Sequence, residues 1–150
     1  MTHLKVGDTA PDINSIDQNG DKITLEQFKG KKVILYFYPK DMTPGCTAQS
    51  CNLTENYSEL QAKGYEVLGV SCDSVKRHQK FIEKYNLAFS LVSDEEKKVV
   101  EDYGVWGLKK FMGREYMGIT RTTFIIDQKG IIEEIIEKVN TKEHTSQILK

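Results

Sequence analysis

Unbroken apolar runs, separated by stretches of helical spacing, are the clearest pattern along this chain. Lys32 to Tyr38 contains Val33-Ile34-Leu35-Tyr36-Phe37-Tyr38, branched and aromatic throughout. A run without polar alternation suits a central strand covered on both faces. Tyr65 to Ser71 repeats the pattern, and Phe89 to Val92 gives a shorter strand. Between the first two runs, Cys46, Leu53, Tyr57 and Leu60 fall 7, 4 and 3 residues apart. That spacing puts them on one helix face, with Gly64 as a stop. Val75, His78, Phe81, Ile82 and Tyr85 mark a second amphipathic helix, and Glu95 to Tyr103 a short third one.

The two ends of the chain read as hairpins. Ile13 to Asp17 and Lys22 to Leu25 flank Gln18-Asn19-Gly20-Asp21, and Asn-Gly between short apolar runs is a hairpin-turn signal. Thr122 to Asp127 and Ile131 to Ile136 are joined by Gln128-Lys129-Gly130, which favours an antiparallel pair, and Glu143 to Leu149 closes the chain as a helix. The order is hairpin, then β-α-β-α-β-α, then β-β-α. Two strand-helix-strand units imply a parallel centre with right-handed crossovers. The simplest architecture for this order is an α/β, thioredoxin-like sandwich with a mixed central sheet, an N-terminal β-hairpin and flanking helices. With no repeats or linker, one domain over residues 1–150 is expected.

Composition removes several function classes. The 150 residues are 39% hydrophobic and 29% charged, with a net charge of −1. A near-neutral chain with interspersed lysines and glutamates lacks the basic footprint of a nucleic-acid or anionic-membrane binder. No apolar stretch approaches the roughly 18 residues of a membrane span. The segment from Met1 to Asp8 lacks the apolar core of a signal peptide, so the expected location is the cytoplasm. Three cysteines make a poor disulfide framework; in a reducing compartment a close pair is more often redox-active or metal-binding.

That pair is Cys46 and Cys51. Cys46 lies in Thr43-Pro44-Gly45-Cys46-Thr47, directly after the first apolar run. Thr43 is a suitable N-cap and Pro44 suits the first helical position, which makes Gly45 second and Cys46 third. The Thr43 hydroxyl is expected to accept a bond from a backbone N–H of the first turn, with the Cys46 sulfur close beside it. Free N–H groups and the helix dipole stabilise a thiolate there. Residues five apart on a regular helix are rotated by about 140° and displaced by roughly 7.5 Å. Disulfide bonding needs Cα atoms within about 7 Å. The two thiols therefore cannot bond until the first turns unwind. Oxidation of Cys46 to a sulfenic acid, helix opening and condensation with Cys51 form a usable cycle, reset by an external dithiol.

Other readings weigh less. Zinc is disfavoured because the cysteines are not C-x-x-C and His3, His78 and His144 are scattered. His78 falls on the apolar face of its helix, where a packed histidine is expected. A thioredoxin-type exchanger normally carries C-x-x-C. Cys72, at the end of the second long strand, reads as a small buried residue, with an auxiliary thiol as the alternative.

At these residues the chain resembles the peroxiredoxins, and within them the bacterioferritin-comigratory-protein, or peroxiredoxin Q, group. The family signature, Pro then Thr or Ser then Cys, falls on Pro39, Thr43 and Cys46. Gly7 to Asp12, Tyr103 to Gly107, Lys109 to Gly113 and Arg121 to Asp127 are also similar to the group. The resemblance implies a thiol peroxidase acting on hydrogen peroxide and organic hydroperoxides. It makes Cys46 the peroxidatic cysteine and Cys51 the resolving cysteine of an intramolecular disulfide. Thr43 would hold the peroxide, Arg121 would stabilise thiolate and oxyanion, and Pro39 would shield the sulfur, with Gly45 in the substrate pocket. Gln49, where many members have Glu, would orient Arg121. Thioredoxin is the implied reductant, no cofactor or metal is needed, and a monomer is expected. The alternatives are a peroxide sensor working by the same switch and a general disulfide oxidoreductase.

Overall fold

The computed structural model describes residues 2–150; Met1, the start of the segment read as lacking an apolar leader, lies outside them. The three apolar runs form β3 (Lys32–Phe37), β4 (Tyr65–Ser71) and β5 (Ser90–Ser93), which pair in parallel. Around them sit β1 (Asn14–Ile16), β2 (Lys22–Thr24), β8 (Thr122–Ile126) and β9 (Ile132–Ile136), giving one seven-stranded sheet in the order β2-β1-β5-β4-β3-β8-β9. β1, β8 and β9 run antiparallel to their neighbours. This is the expected mixed sheet of a thioredoxin-like α/β sandwich, with the N-terminal hairpin on one edge.

β3 is apolar without interruption because both its faces are buried. Val33, Leu35 and Phe37 join Leu68, Val70, Phe124 and, from α4 (Lys98–Asp102), Val99 and Val100 in one cluster. Ile34, Tyr36 and Tyr38 join the other, with residues of α1 (Pro44–Glu55), α2 (Tyr57–Ala62), α3 (Val75–Tyr85) and α5 (His144–Leu149). Gly69 in β4 makes room on that second face: a Cβ there would lie 2.8 Å from the Tyr36 ring and 2.7 Å from Leu91. Tyr36 can then reach α1, where its hydroxyl bonds Ser50 Oγ at 2.8 Å.

Two regions depart from the sequence reading. The helix expected to run from Pro44 toward Gly64 breaks at Asn56 (φ −105°, ψ 10°). The Asn56 side chain donates to the Asn52 carbonyl at 2.8 Å, a local side-chain bond that competes with helix continuation. The segment after Tyr103, unassigned from sequence, forms β6 (Trp106–Phe111) and β7 (Arg114–Ile119), a separate two-stranded sheet. Met112 and Gly113, with φ of 52° and 78°, form its two-residue turn. Leu108, Phe111, Met112, Tyr116 and Met117 are all exposed, so this hairpin has no clean buried-face alternation to read.

Candidate active site

The chain leaves β3 through Tyr38-Pro39-Lys40-Asp41-Met42-Thr43 and enters α1 at Pro44. Met42 turns it with φ 71°, a left-handed conformation that costs a residue with a Cβ about 1–2 kcal/mol. Thr43 is extended (φ −79°, ψ 153°) and occupies the N-cap position, as expected. Its hydroxyl, however, does not cap the helix. It donates instead to the Lys40 carbonyl at 2.9 Å, tightening the turn before the helix. The first intrahelical bond is Thr47 N–H to Thr43 O, at 2.9 Å, which leaves the N–H groups of Gly45 and Cys46 ahead of the hydrogen-bonded turns.

Cys46 is fully buried, and all three cysteines are free thiols. The Arg121 guanidinium covers its sulfur, with Nη2 donating to Sγ at 3.3 Å. Nη1 of the same group donates to Gln49 Oε1 at 2.6 Å. Gln49 is itself fully buried one turn along α1, so the arginine is held from the helix that carries the thiol. Gly45 leaves room for this arrangement, since a Cβ there would stand 3.2 Å from Arg121 Nη2. Pro39 lies half-buried on the strand-to-helix connection.

The sheet explains why Arg121 arrives here. β8 runs antiparallel to β3, and Thr122, its first residue, pairs with Phe37, the last of β3. The residue before β8 is therefore delivered to the end of β3 where α1 begins. A second cation, unremarked in sequence except within a motif, comes from β6. Lys109 is half-buried and donates from Nζ to the Ile119 carbonyl at 2.8 Å. Burial holds its pKa below the ordinary lysine value, and repulsion from Arg121 adds to this while Cys46 opposes it.

Cys51 is half-buried on the same helix, and burial pushes its thiol up, with Glu55 adding to the effect. Because α1 is unbroken from Pro44 to Glu55, ideal helix geometry separates the two cysteine Cα atoms by about 8.6 Å, beyond disulfide reach. The far half of α1 is clamped. Asn52 Oδ1 accepts from Thr145 N–H at 2.8 Å, and Asn52 Nδ2 donates to the Lys142 carbonyl at 3.0 Å. The near half is not fully satisfied: among the described residues, the buried side-chain polar atoms without a partner are Thr47 Oγ1 and Gln49 Nε2. Cys72 packs against the cluster on the opposite face of the sheet from Cys46. Burial, then Asp94, pushes its thiol up to about 11.

The AhpC/TSA family profile matches residues 6–135. The chain belongs to this family. Within it, the chain falls among the Bcp or Q peroxiredoxins. It is 46% identical to peroxiredoxin Bcp of Escherichia coli K12 over 149 residues, covering 99% of this chain and 96% of that one. Peroxiredoxin Bcp of Bacillus subtilis is 43% identical over 147 residues, covering 98% and 94%. Among solved structures, a cysteine-to-serine mutant of Xylella fastidiosa PrxQ superimposes with a TM-score of 0.92 at 30% identity, covering 99% and 95%. The bacterioferritin comigratory protein of Xanthomonas campestris, described for its alkyl peroxide reduction activity, gives 0.87 at 32% identity, covering 99% and 95%. This peroxiredoxin has no helix, among its described residues, long and apolar enough to cross a membrane.

Proposed function

We propose that the chain is a peroxidase that reduces hydrogen peroxide and organic hydroperoxides at Cys46. The observation that carries this reading is the Arg121 guanidinium on the Cys46 sulfur at 3.3 Å, itself fixed by Gln49 at 2.6 Å. A permanent cation with forked donors stabilises both a thiolate and the negative charge that develops as an O–O bond breaks. The Thr43 hydroxyl donates its hydrogen bond to the Lys40 carbonyl, which leaves its oxygen lone pairs free to accept a peroxide O–H. The alkyl peroxide reduction described for the Xanthomonas campestris relative supports organic hydroperoxides as substrates.

In the first step the Cys46 thiolate attacks the terminal peroxide oxygen. An S–O bond forms and the O–O bond breaks; sulfur is oxidised by two electrons, and the leaving hydroxide (from hydrogen peroxide) or alkoxide (from an organic hydroperoxide) takes a proton and departs as water or alcohol. In the second, the first turns of α1 unwind and the Cys51 thiolate attacks the sulfenic sulfur, forming the disulfide and releasing water. An external dithiol, thioredoxin or one like it, is oxidised to its own disulfide as it restores both thiols. Cys51, held as a thiol by burial in α1, becomes a better nucleophile once opening exposes it. The chain is proposed to act as a single-domain cytoplasmic monomer.

The test is steady-state consumption of hydrogen peroxide and cumene hydroperoxide with thioredoxin and its reductase. Cys46→Ser is expected to abolish turnover. Cys51→Ser is expected to leave one rapid oxidation per molecule and no thioredoxin-linked recycling. A protein that reduces protein disulfides but leaves both peroxides untouched would instead be a general disulfide oxidoreductase. One that oxidises once and recycles slowly would be a sensor.

A further inference from the structure

The turn that enters α1 is tied to the body of the protein by a buried polar network outside the thiol site. Asp41 and His78 are both fully buried, and Asp41 Oδ2 meets His78 Nδ1 at 2.6 Å. The Tyr38 hydroxyl donates to Asp41 Oδ1 at 2.6 Å, so both carboxylate oxygens are engaged. His78 Nε2 faces the Val92 carbonyl at 2.9 Å and therefore carries a hydrogen. The backbone of Asp41 is held as firmly. Its N–H donates to Asp73 Oδ2 at 2.8 Å, and its carbonyl accepts from Arg77 Nη2 at 3.3 Å. Asp73 is fixed in turn by Ser71 Oγ at 2.7 Å and Arg77 Nε at 2.9 Å. Asp41, Asp73 and His78 lie close enough to suggest a cation site, but these bonds already occupy their ligand atoms.

The network grips the residue immediately before Met42, the one strained position between β3 and α1. A left-handed methionine persists only where its surroundings dictate it. We propose that Asp41, secured by His78 and Arg77, is a positioning residue: it imposes the left-handed turn at Met42 and thereby aims the start of α1, with Thr43 and Cys46, at Arg121. It is also the fixed end from which α1 unwinds, because the chain before Thr43 is anchored while the turns after it carry unpartnered Thr47 Oγ1 and Gln49 Nε2. This inference rests on the peroxidase reading and assigns the network to the folded, peroxide-reactive form of the site.

The experiment separates the two chemical steps in single turnover, with rapid quenching, thiol alkylation and mass analysis. In Asp41→Asn, oxidation of Cys46 by hydrogen peroxide is expected to slow about tenfold, while disulfide formation from the sulfenic acid proceeds at least as fast as in wild type. Adding Met42→Gly, which removes the conformational demand at the turn, is expected to recover most of the loss. Arg77→Gln alters a partly exposed side chain and spares the core. It is expected to slow oxidation about threefold, again with recovery by Met42→Gly, and it decides the matter if Asp41→Asn does not fold. Wild-type oxidation rates in the folded Asp41→Asn and Arg77→Gln proteins, or slow rates that Met42→Gly leaves unchanged, would overturn the inference alone. A wild-type protein inert to peroxide would overturn the peroxidase reading, and this inference with it.

Discussion

α1 and α3 lie against the same cluster on the same face of one sheet, yet they are built to opposite specifications. α3 has a formed N-cap, Ser74 Oγ accepting from Arg77 N–H at 3.2 Å, and closes on Asn86 in the left-handed conformation (φ 52°). Its sequence, VKRHQKFIEKY, is rich in long side chains that suit a helix. α1, PGCTAQSCNLTE, begins without a side-chain cap and carries Gly, Thr, Ser, Cys and Asn, all weaker helix formers. Its first two turns also bury two unpartnered polar atoms, Thr47 Oγ1 and Gln49 Nε2, each costing about 1–3 kcal/mol. α3 is held by its own chemistry, whereas the start of α1 is held by its neighbours: the Met42 turn before it, Arg121 above it and the Asn52 clamp beyond it. A helix of that kind can place a thiol accurately and release it cheaply.

The sharpest way to break the contrast is to remove what holds α1 from outside. Arg121→Met takes the cation from Cys46 and the partner from Gln49. Cys46 oxidation by peroxide is expected to fall by about 100-fold, the scale of losing a transition-state donor, as measured in single turnover. The converse is to make α1 more like α3. Thr47→Ala removes a buried unpartnered hydroxyl and improves helix propensity, by about 1 kcal/mol or more together. Disulfide formation is expected to slow several-fold while Cys46 oxidation stays near the wild-type rate; equal slowing of both steps would argue against a marginal helix. A third change weakens α3 instead. Ser74→Ala deletes its cap and is expected to cost about 1 kcal/mol, a thermal shift of roughly 2–4 °C, without altering turnover per folded molecule.

The smallest expected effect sharpens the role of α5 as the clamp on α1. His144 accepts from the Thr123 hydroxyl at 2.8 Å, and its Nδ1 faces Gln147 Oε1 at 2.8 Å. Gln147 Oε1 also accepts from Asn140 N–H, so it is the oxygen and Nδ1 carries the hydrogen. Burial, opposed by the Gln147 bond, holds the pKa of His144 below the usual value near 6.5. The unfolded chain then binds the proton more readily than the folded one. This contribution to stability is complete above about pH 6.5 and is lost as pH falls from there toward the folded value. A thermal-melt series from pH 7 to 5 is expected to decline less steeply in His144→Gln than in wild type.

The contrast between the two helices was partly legible in the chain itself. The apolar runs marked β3, β4 and β5 because a doubly covered strand cannot alternate, and Thr-Pro at a strand end marked the start of α1 because both residues suit its first positions. The misfit between Cys46 and Cys51 followed from helix geometry alone. What stayed hidden depends on contacts far apart in sequence. Arg121 reaches Cys46 through the antiparallel register of β8 on β3, which no local pattern encodes; only the family resemblance singled it out. His78 could be read as a packed histidine, but not as the partner of Asp41, 37 residues earlier. The Thr43 hydroxyl does not cap α1 as its position in the sequence suggests, because the turn at Met42 brings the Lys40 carbonyl within its reach. Apolar residues exposed on both faces left the β6–β7 hairpin, and with it Lys109, without a legible alternation.

Backbone amide exchange, compared between the dithiol protein and the Cys46–Cys51 disulfide form, addresses the difference between the helices most directly. Residues 47–51 are expected to lose protection on oxidation, with the segment beyond Asn52 and all of Val75–Tyr85 unchanged. Equal protection of residues 47–51 in both redox states would contradict the proposal that α1 must open for Cys51 to reach Cys46.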